Sequence, residues 1–237
     1  MADNVANNVA DNVVGNVVEI DVVSDVMCPW CYIGKRRLEK ALKLIPDHIE
    51  VEITWRPFQL DATIPQSGRD RKTYLEQKFG SAEGIAQVYE PIAKAGEVEG
   101  LPFNLEGIEV SPNTLDCHRL LHWAAIEGVQ GKLSEILFEA YFVKAIDLTK
   151  NENLVALAVE AGMDGKVVKR MLESDADKAE VQAEIDEYRQ MGVQSVPTMI
   201  VGKKYAVIGA REDTTIAEVI EGVYQERQME AEQTGST

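Results

Sequence analysis

Strand-like sequence occurs only towards the two ends of this chain, and that distribution restricts its architecture more than any other feature. Between Asp61 and Met191 no stretch has strand periodicity, and apolar residues recur at helical spacing between turn signals. The spacing predicts helices over 71–79, 82–95, 114–127, 132–143, 151–161, 165–173 and 176–191. Gly80, Gly96, Gly100-Leu101-Pro102, Ser111-Pro112-Asn113, Gly128, Gly162 and Ser174-Asp175 separate them. Ser111 or Asn113 can cap the third. A sheet built from both ends of such a chain must enclose a helical middle.

The N-terminal half of that sheet starts at residues 17–23, a β-branched run whose composition suits a central strand, although Glu19 and Asp21 dilute the pattern. Residues 34–44 follow with Ile33, Leu38, Ala41, Leu42 and Ile45 at helical spacing, and Pro46-Asp47 ends that helix. Residues 49–55 alternate apolar and polar and form a second strand. One short return predicts a parallel βαβ unit. At the other end, 198–201 and 205–208 flank Gly202-Lys203-Lys204 as a hairpin. A closing helix over 214–227 carries Ile216, Val219, Ile220 and Val223 on one face. The expected organisation is an α/β domain from 17–60 and 192–228, split by a helical insertion over 61–191. Residues 2–13 repeat an Ala-x-Asn-Val unit rich in Asn, and residues 1–16 are expected to be a disordered low-complexity tail. Residues 229–237 are polar and expected to fray.

The chemistry concentrates in Asp25-Val26-Met27-Cys28-Pro29-Trp30-Cys31-Tyr32, where the first strand gives way to the helix. The first turn of a helix leaves N–H groups unpaired and carries partial positive charge, which favours a thiolate. Positions i and i+3 share a helix face, so two sulfurs at this spacing can reach disulfide distance. Cys28 is expected to be the exposed attacking sulfur and Cys31, one turn in, the shielded resolving one. Pro29 fits the first turn, where its missing N–H matters little. A C-x-x-C pair also forms half of a tetrahedral zinc site, which Cys117, or His118 with His122, can complete.

Four segments in order resemble one family: Asp25-x-x-Cys28-Pro29-Trp30-Cys31-Tyr32-Ile33-Gly34-Lys35; Trp55-Arg56-Pro57-Phe58-x-Leu60; Asn113-Thr114-x-x-x-His118-Arg119-Leu120; and Gly192-Val193-x-x-Val196-Pro197-Thr198. Together they resemble the DsbA-like thioredoxin superfamily, FrnE-like branch. The resemblance implies a thioredoxin-like α/β fold (βαβ…ββα) with an inserted α-helical domain, and a thiol–disulfide oxidoreductase or isomerase acting through Cys28 and Cys31 without a cofactor or metal. It implies that Val196 and Pro197 face the cysteines and bind substrate, with Pro197 cis and in contact with Cys28. His118 matches the family motif, either lining the cleft as a substrate-binding residue or packed in its helix. Trp30, where other members carry histidine, implies a milder oxidant than C-P-H-C members. A sister branch of kappa-type transferases and hydroxychromene carboxylate isomerases uses glutathione but generally lacks the second cysteine. A zinc-binding or chaperone-like module is the non-enzymatic alternative.

Other residues near the motif carry two readings each. Asp25 can accept the Cys31 proton if buried, or cap the helix. Lys35, Arg36 and Arg37 lie near the site, and at least two of them are expected to face solvent. Cys117 is expected to be a small buried apolar residue, and Met27, Trp55 and Phe58 to form core or cleft wall.

Composition excludes several partners. With 40 acidic and 24 basic residues the 237-residue chain carries a net charge of −16, which repels nucleic acid and anionic membranes. No apolar run reaches the ~20 residues of a membrane span. The N-terminal stretch lacks both basic and apolar parts of a secretory signal, so a cytoplasmic location is expected, where dithiols stay largely reduced and disulfides are transient and catalytic. The expected partners are protein or small-molecule thiols and disulfides, glutathione among them, acting on a monomer or homodimer.

Overall fold

The computed structural model describes residues 17–234; the Asn-rich repeat, and with it the expectation of a disordered tail, lies outside them. A four-stranded mixed sheet runs in the order β2-β1-β5-β6. β1 (Val17–Ser24) lies parallel to β2 (Glu50–Pro57), with Val17 opposite Glu50 and Ser24 opposite Pro57. β5 (Thr198–Val201) pairs antiparallel with β1, and β6 (Tyr205–Ile208) antiparallel with β5. β1 is therefore central, as its β-branched content predicts. Its alternate residues Val18, Ile20 and Val22 are buried. The two acids that dilute the pattern are matched at the strand: Glu19 pairs with Lys203 and Arg227, and Asp21 with Arg56 at 2.6 Å.

Helix α1 (Pro29–Ala41) connects β1 to β2 and packs against the last helix, α9 (Asp213–Thr234), which also covers β1 and β5. The helical middle comprises α2 (Arg71–Phe79), α3 (Ala82–Val98), α4 (Leu115–Ile126), α5 (Gln130–Phe142), α6 (Asn151–Ala161), α7 (Gly165–Leu172) and α8 (Lys178–Gln190). α4, α5 and α8 pack on β2, which burial of Leu120, Leu137 and Ile185 reinforces. Thr114 is the N-cap residue of α4 and makes no side-chain cap bond, while Asn113 before it accepts the Leu115 N–H through Oδ1 at 3.0 Å.

Two expectations need correction. The helical middle is not free of strands: β3 (Arg69–Asp70) and β4 (Val110–Ser111) form an antiparallel pair, too short to show periodicity. α1 begins at Pro29, five residues ahead of the expected 34–44 helix, and ends at Ala41. α9 runs to Thr234, and Glu226 within it is anchored to Lys204 and Tyr205.

Candidate active site

Where β1 ends, the chain turns once and starts α1. The Cys28 N–H closes that turn on the Asp25 carbonyl at 3.0 Å. Cys28 is the N-cap residue, in extended conformation with φ −95° and ψ 111°, and Pro29 occupies the first helical turn. Cys31 follows one turn in, its N–H bonded to the Cys28 carbonyl at 3.0 Å. The two cysteines carry free thiols and approach to 3.5 Å. Trp30 between them is half-buried against the core.

Facing this turn is the loop before β5. Its Val196–Pro197 bond is cis, as expected, and the Cys28 Sγ donates to the Val196 carbonyl at 3.6 Å. The Pro197 ring sits against Gly34, where a Cβ would meet the ring Cγ at 2.9 Å. A glycine in α1 thus lets the loop reach the cysteine turn. The expectation that Cys28 is exposed is corrected: its side chain turns inward under that loop and the residue is only 4% exposed, against 1% for Cys31.

Burial pushes the Cys31 thiol well above its ordinary range, and its proximity to Cys28 adds to the shift. The Ser24 side chain and the Asp25 backbone act in the opposite sense.

Asp25 is fully buried but does not cap α1. Its Oδ2 accepts the Leu60 N–H at 2.7 Å, and its Oδ1 faces the Met27 N–H at 3.4 Å and His118 Nε2 at 3.5 Å. His118 is likewise buried, and its Nε2–H donates to the Phe58 carbonyl at 2.8 Å. It supports the floor behind the cysteines and does not reach the cleft surface. The Trp55–Leu60 segment is the cover of that floor: the Phe58 N–H bonds to the Ser24 carbonyl at 3.0 Å and Arg189 holds the Gln59 carbonyl at 2.7 Å. Cys117 is fully buried, as expected.

None of the three basic residues after the motif faces solvent freely, contrary to expectation. Lys35 and Arg36 both bind Glu39 and Glu135. Arg37 binds Glu99 at 2.8 Å and Glu212 at 2.9 Å. They clamp α1 to the helical middle and to α9. Sequence reasoning missed these partners, and also Gln130, whose amide takes both the N–H and the C=O of Trp55 at 2.9 Å on the outer edge of β2. Among the described residues no third His, Cys, Asp or Glu joins both sulfurs in a set close enough to share an ion. The donor set that the zinc reading requires is therefore not assembled.

The chain belongs to the DSBA-like thioredoxin domain family, whose model matches residues 19–221. A probable DsbA oxidoreductase from Streptomyces coelicolor shares 31% identity with it at a TM-score of 0.81, covering 88% of this chain and 91% of that one. Uncharacterized protein YwbO of Bacillus subtilis (strain 168) is 27% identical over 184 residues, covering 77% of this chain and 86% of that protein. The cytosolic disulfide reductase DsbM of Pseudomonas aeruginosa shares the fold at 13% identity and a TM-score of 0.58, covering 91% of this chain and 99% of that one. The family and its members define a disulfide oxidoreductase in general. No helix among the described residues is long and apolar enough to cross a membrane.

Proposed function

We propose that this chain is a FrnE-like thiol–disulfide oxidoreductase in which Cys28 attacks and Cys31 resolves. One observation carries the reading: two free thiols at a helix start, 3.5 Å apart, with the outer one against the Val196 carbonyl of the opposing loop. The Cys28 thiolate attacks a substrate disulfide, forms a mixed disulfide and expels one substrate thiolate. Cys31 then attacks Cys28 Sγ, releasing the second substrate thiol and leaving the enzyme pair oxidised. A dithiol or glutathione reductant returns the pair to the reduced state, and the reverse sequence oxidises or isomerises substrate thiols.

A groove of about 390 Å³ runs along Val193, Gln194, Ser195 and Thr198 to β6. The proposed substrate contact is the backbone at Val196 and Pro197, which join two of these lining residues, Ser195 and Thr198, in the chain. Glutathione enters the proposal as a small substrate or reductant, since one structure of DsbM is named with GSH. The retained second cysteine favours disulfide exchange over the isomerase chemistry of the sister branch. The proposed location is the cytoplasm, where dithiols stay largely reduced and disulfides are transient and catalytic.

Insulin reduction by dithiothreitol tests the reading. The native chain accelerates precipitation of the insulin B chain, Cys28→Ser abolishes the acceleration, and Cys31→Ser accumulates mixed disulfides visible by mass spectrometry. Undiminished turnover by Cys28→Ser ends this account.

A further inference from the structure

The two faces of the β5–β6 hairpin are covered unequally. Met199, Val201 and Val207 lie on one face and are buried, and α9 packs on β5. On the other face the register puts Thr198 opposite Ile208 and Ile200 opposite Ala206. The helices of the middle that reach this sheet, α4, α5 and α8, pack on β2 at its far edge. Ile208 is accordingly 55% exposed, and Met191 just after α8 is 61% exposed. Both line the groove that starts beside Pro197.

The charge of this groove runs against that of the chain. Among the described residues its walls hold no Asp or Glu but two lysines, Lys203 and Lys204 of the hairpin turn, whereas the whole chain carries −16. Lys203 pairs with Glu19 and Lys204 with Glu226, through lysine side chains that are more than half exposed. Exposed pairs of this kind contribute little, and each ammonium has three donors, so both lysines can take a further carboxylate. Thr198 and Ile208 stand at the Pro197 end, and the lysines follow Val201 at the other. Three strand steps make about 10 Å, which an extended polypeptide spans in about three to four residues.

We propose that this face selects the substrate: a polypeptide whose cysteine is flanked by apolar residues and followed, about three to four residues away, by a carboxylate that reaches Lys203 and Lys204. This rests on the oxidoreductase reading and names the substrate class of its site. Apolar side chains beside the substrate cysteine take Ile208, Ile200 and Met191 as neighbours, and the contact removes apolar surface from water on both partners. A small disulfide such as oxidised glutathione meets Cys28 without spanning the groove and gains neither contact.

Homodimeric disulfides of synthetic peptides test the proposal, with dithiothreitol as terminal reductant and liquid chromatography of the product thiols. Each turnover reduces one peptide disulfide to two thiols and oxidises one dithiothreitol to its cyclic disulfide. The peptides carry a central cysteine, leucine or serine on both sides of it, and glutamate or lysine about four residues out on both sides, so chain direction does not matter. For the native chain, kcat/KM of the leucine–glutamate peptide is expected about tenfold above that of serine–glutamate and about fivefold above that of leucine–lysine. The net charge of −16 alone favours the lysine peptide, so the order of these two separates the local lysines from the overall field. In the double variant Lys203→Gln, Lys204→Gln the preference for glutamate is expected to disappear.

A lysine peptide reduced as fast as the glutamate peptide by the native chain overturns the role of the lysines, and equal rates with leucine and serine overturn that of the apolar face. A dimer in sedimentation that Ile208→Glu dissociates would give this face to a second copy and overturn the proposal as well. Reduction of neither the peptides nor oxidised glutathione above the rate with dithiothreitol alone would instead overturn the oxidoreductase reading. Fluorescence anisotropy of labelled peptides with serine in place of cysteine then decides the groove by itself, with the same order of glutamate over lysine expected and the reverse order against it.

Discussion

The Val196 carbonyl stands 3.6 Å from the Cys28 sulfur across 168 residues of chain. This contact brings the βαβ half and the hairpin half together at the cysteine turn, and Gly34 makes the approach possible. A Cβ at that position would lie 2.9 Å from the Pro197 ring, a rigid group with little freedom to move aside. Gly34→Ala is therefore expected to displace the loop and to cost about 1–3 kcal/mol, more than any gain in helix propensity returns. Insulin reduction per folded molecule reads the first effect and urea denaturation measures the second. Unchanged stability together with unchanged rate would show that the loop does not depend on this glycine.

Local signals were readable where one residue type answers to one local need. The hairpin is an example: Gly202 and Lys203 both adopt positive φ, 62° and 60°, in the turn between the two expected strands. The cysteine spacing and the strand-to-helix junction likewise follow from neighbours in sequence. Partners set by tertiary packing were not readable. Glu135 lies 99 residues from Arg36 and Gln130 lies 75 from Trp55, and no periodicity links either pair. For the same reason the sequence suggested solvent-facing cations after the motif, where distant carboxylates hold them. The inward turn of Cys28 also depends on the opposing loop, which helix-start chemistry alone does not reveal.

Cys117 gives a test of burial. It is fully enclosed, and burial pushes its thiol well above the ordinary range, with the charges of Asp116 and Asp25 adding to the shift. Native protein treated with iodoacetamide at neutral pH is expected to stay unlabelled at Cys117 until denaturant is added. Cys117→Ala should preserve the rate of insulin reduction. Peptide mass mapping gives the answer, and labelling at Cys117 as fast as at Cys28 would contradict the packing.

Gln130 tests how the outer edge of β2 is closed. Its side chain accepts from the Trp55 N–H and donates to the Trp55 carbonyl, both at 2.9 Å, in a buried setting. Gln130→Leu keeps similar bulk but leaves both backbone groups unpaired. The expected loss is about 3 kcal/mol, since each orphaned buried group costs roughly 1–3 kcal/mol. Chemical denaturation should show a lower midpoint with an unchanged slope. An unchanged midpoint would mean that water replaces the glutamine at this edge.

Glu135 makes the clamp between α1 and α5 sensitive to acid. Burial alone would raise its pKa, but Arg36 and Lys35 more than offset this, with the Tyr32 hydroxyl at 2.8 Å, and hold it at about 2 against the usual 4.5. A folded-state pKa below the unfolded value stabilises the fold fully above the unfolded pKa and loses that contribution as pH falls through the folded one. The window for Glu135 therefore runs from about pH 4.5 down to about pH 2. After allowance for the screening of a partly exposed side chain, Glu135→Gln is expected to cost on the order of 2 kcal/mol at neutral pH. The difference between the two proteins should narrow below pH 4.5 and vanish near pH 2. Denaturation midpoints measured across this range decide the matter, and a gap that stays constant with pH would mean that the glutamate contributes shape and hydrogen bonds rather than charge.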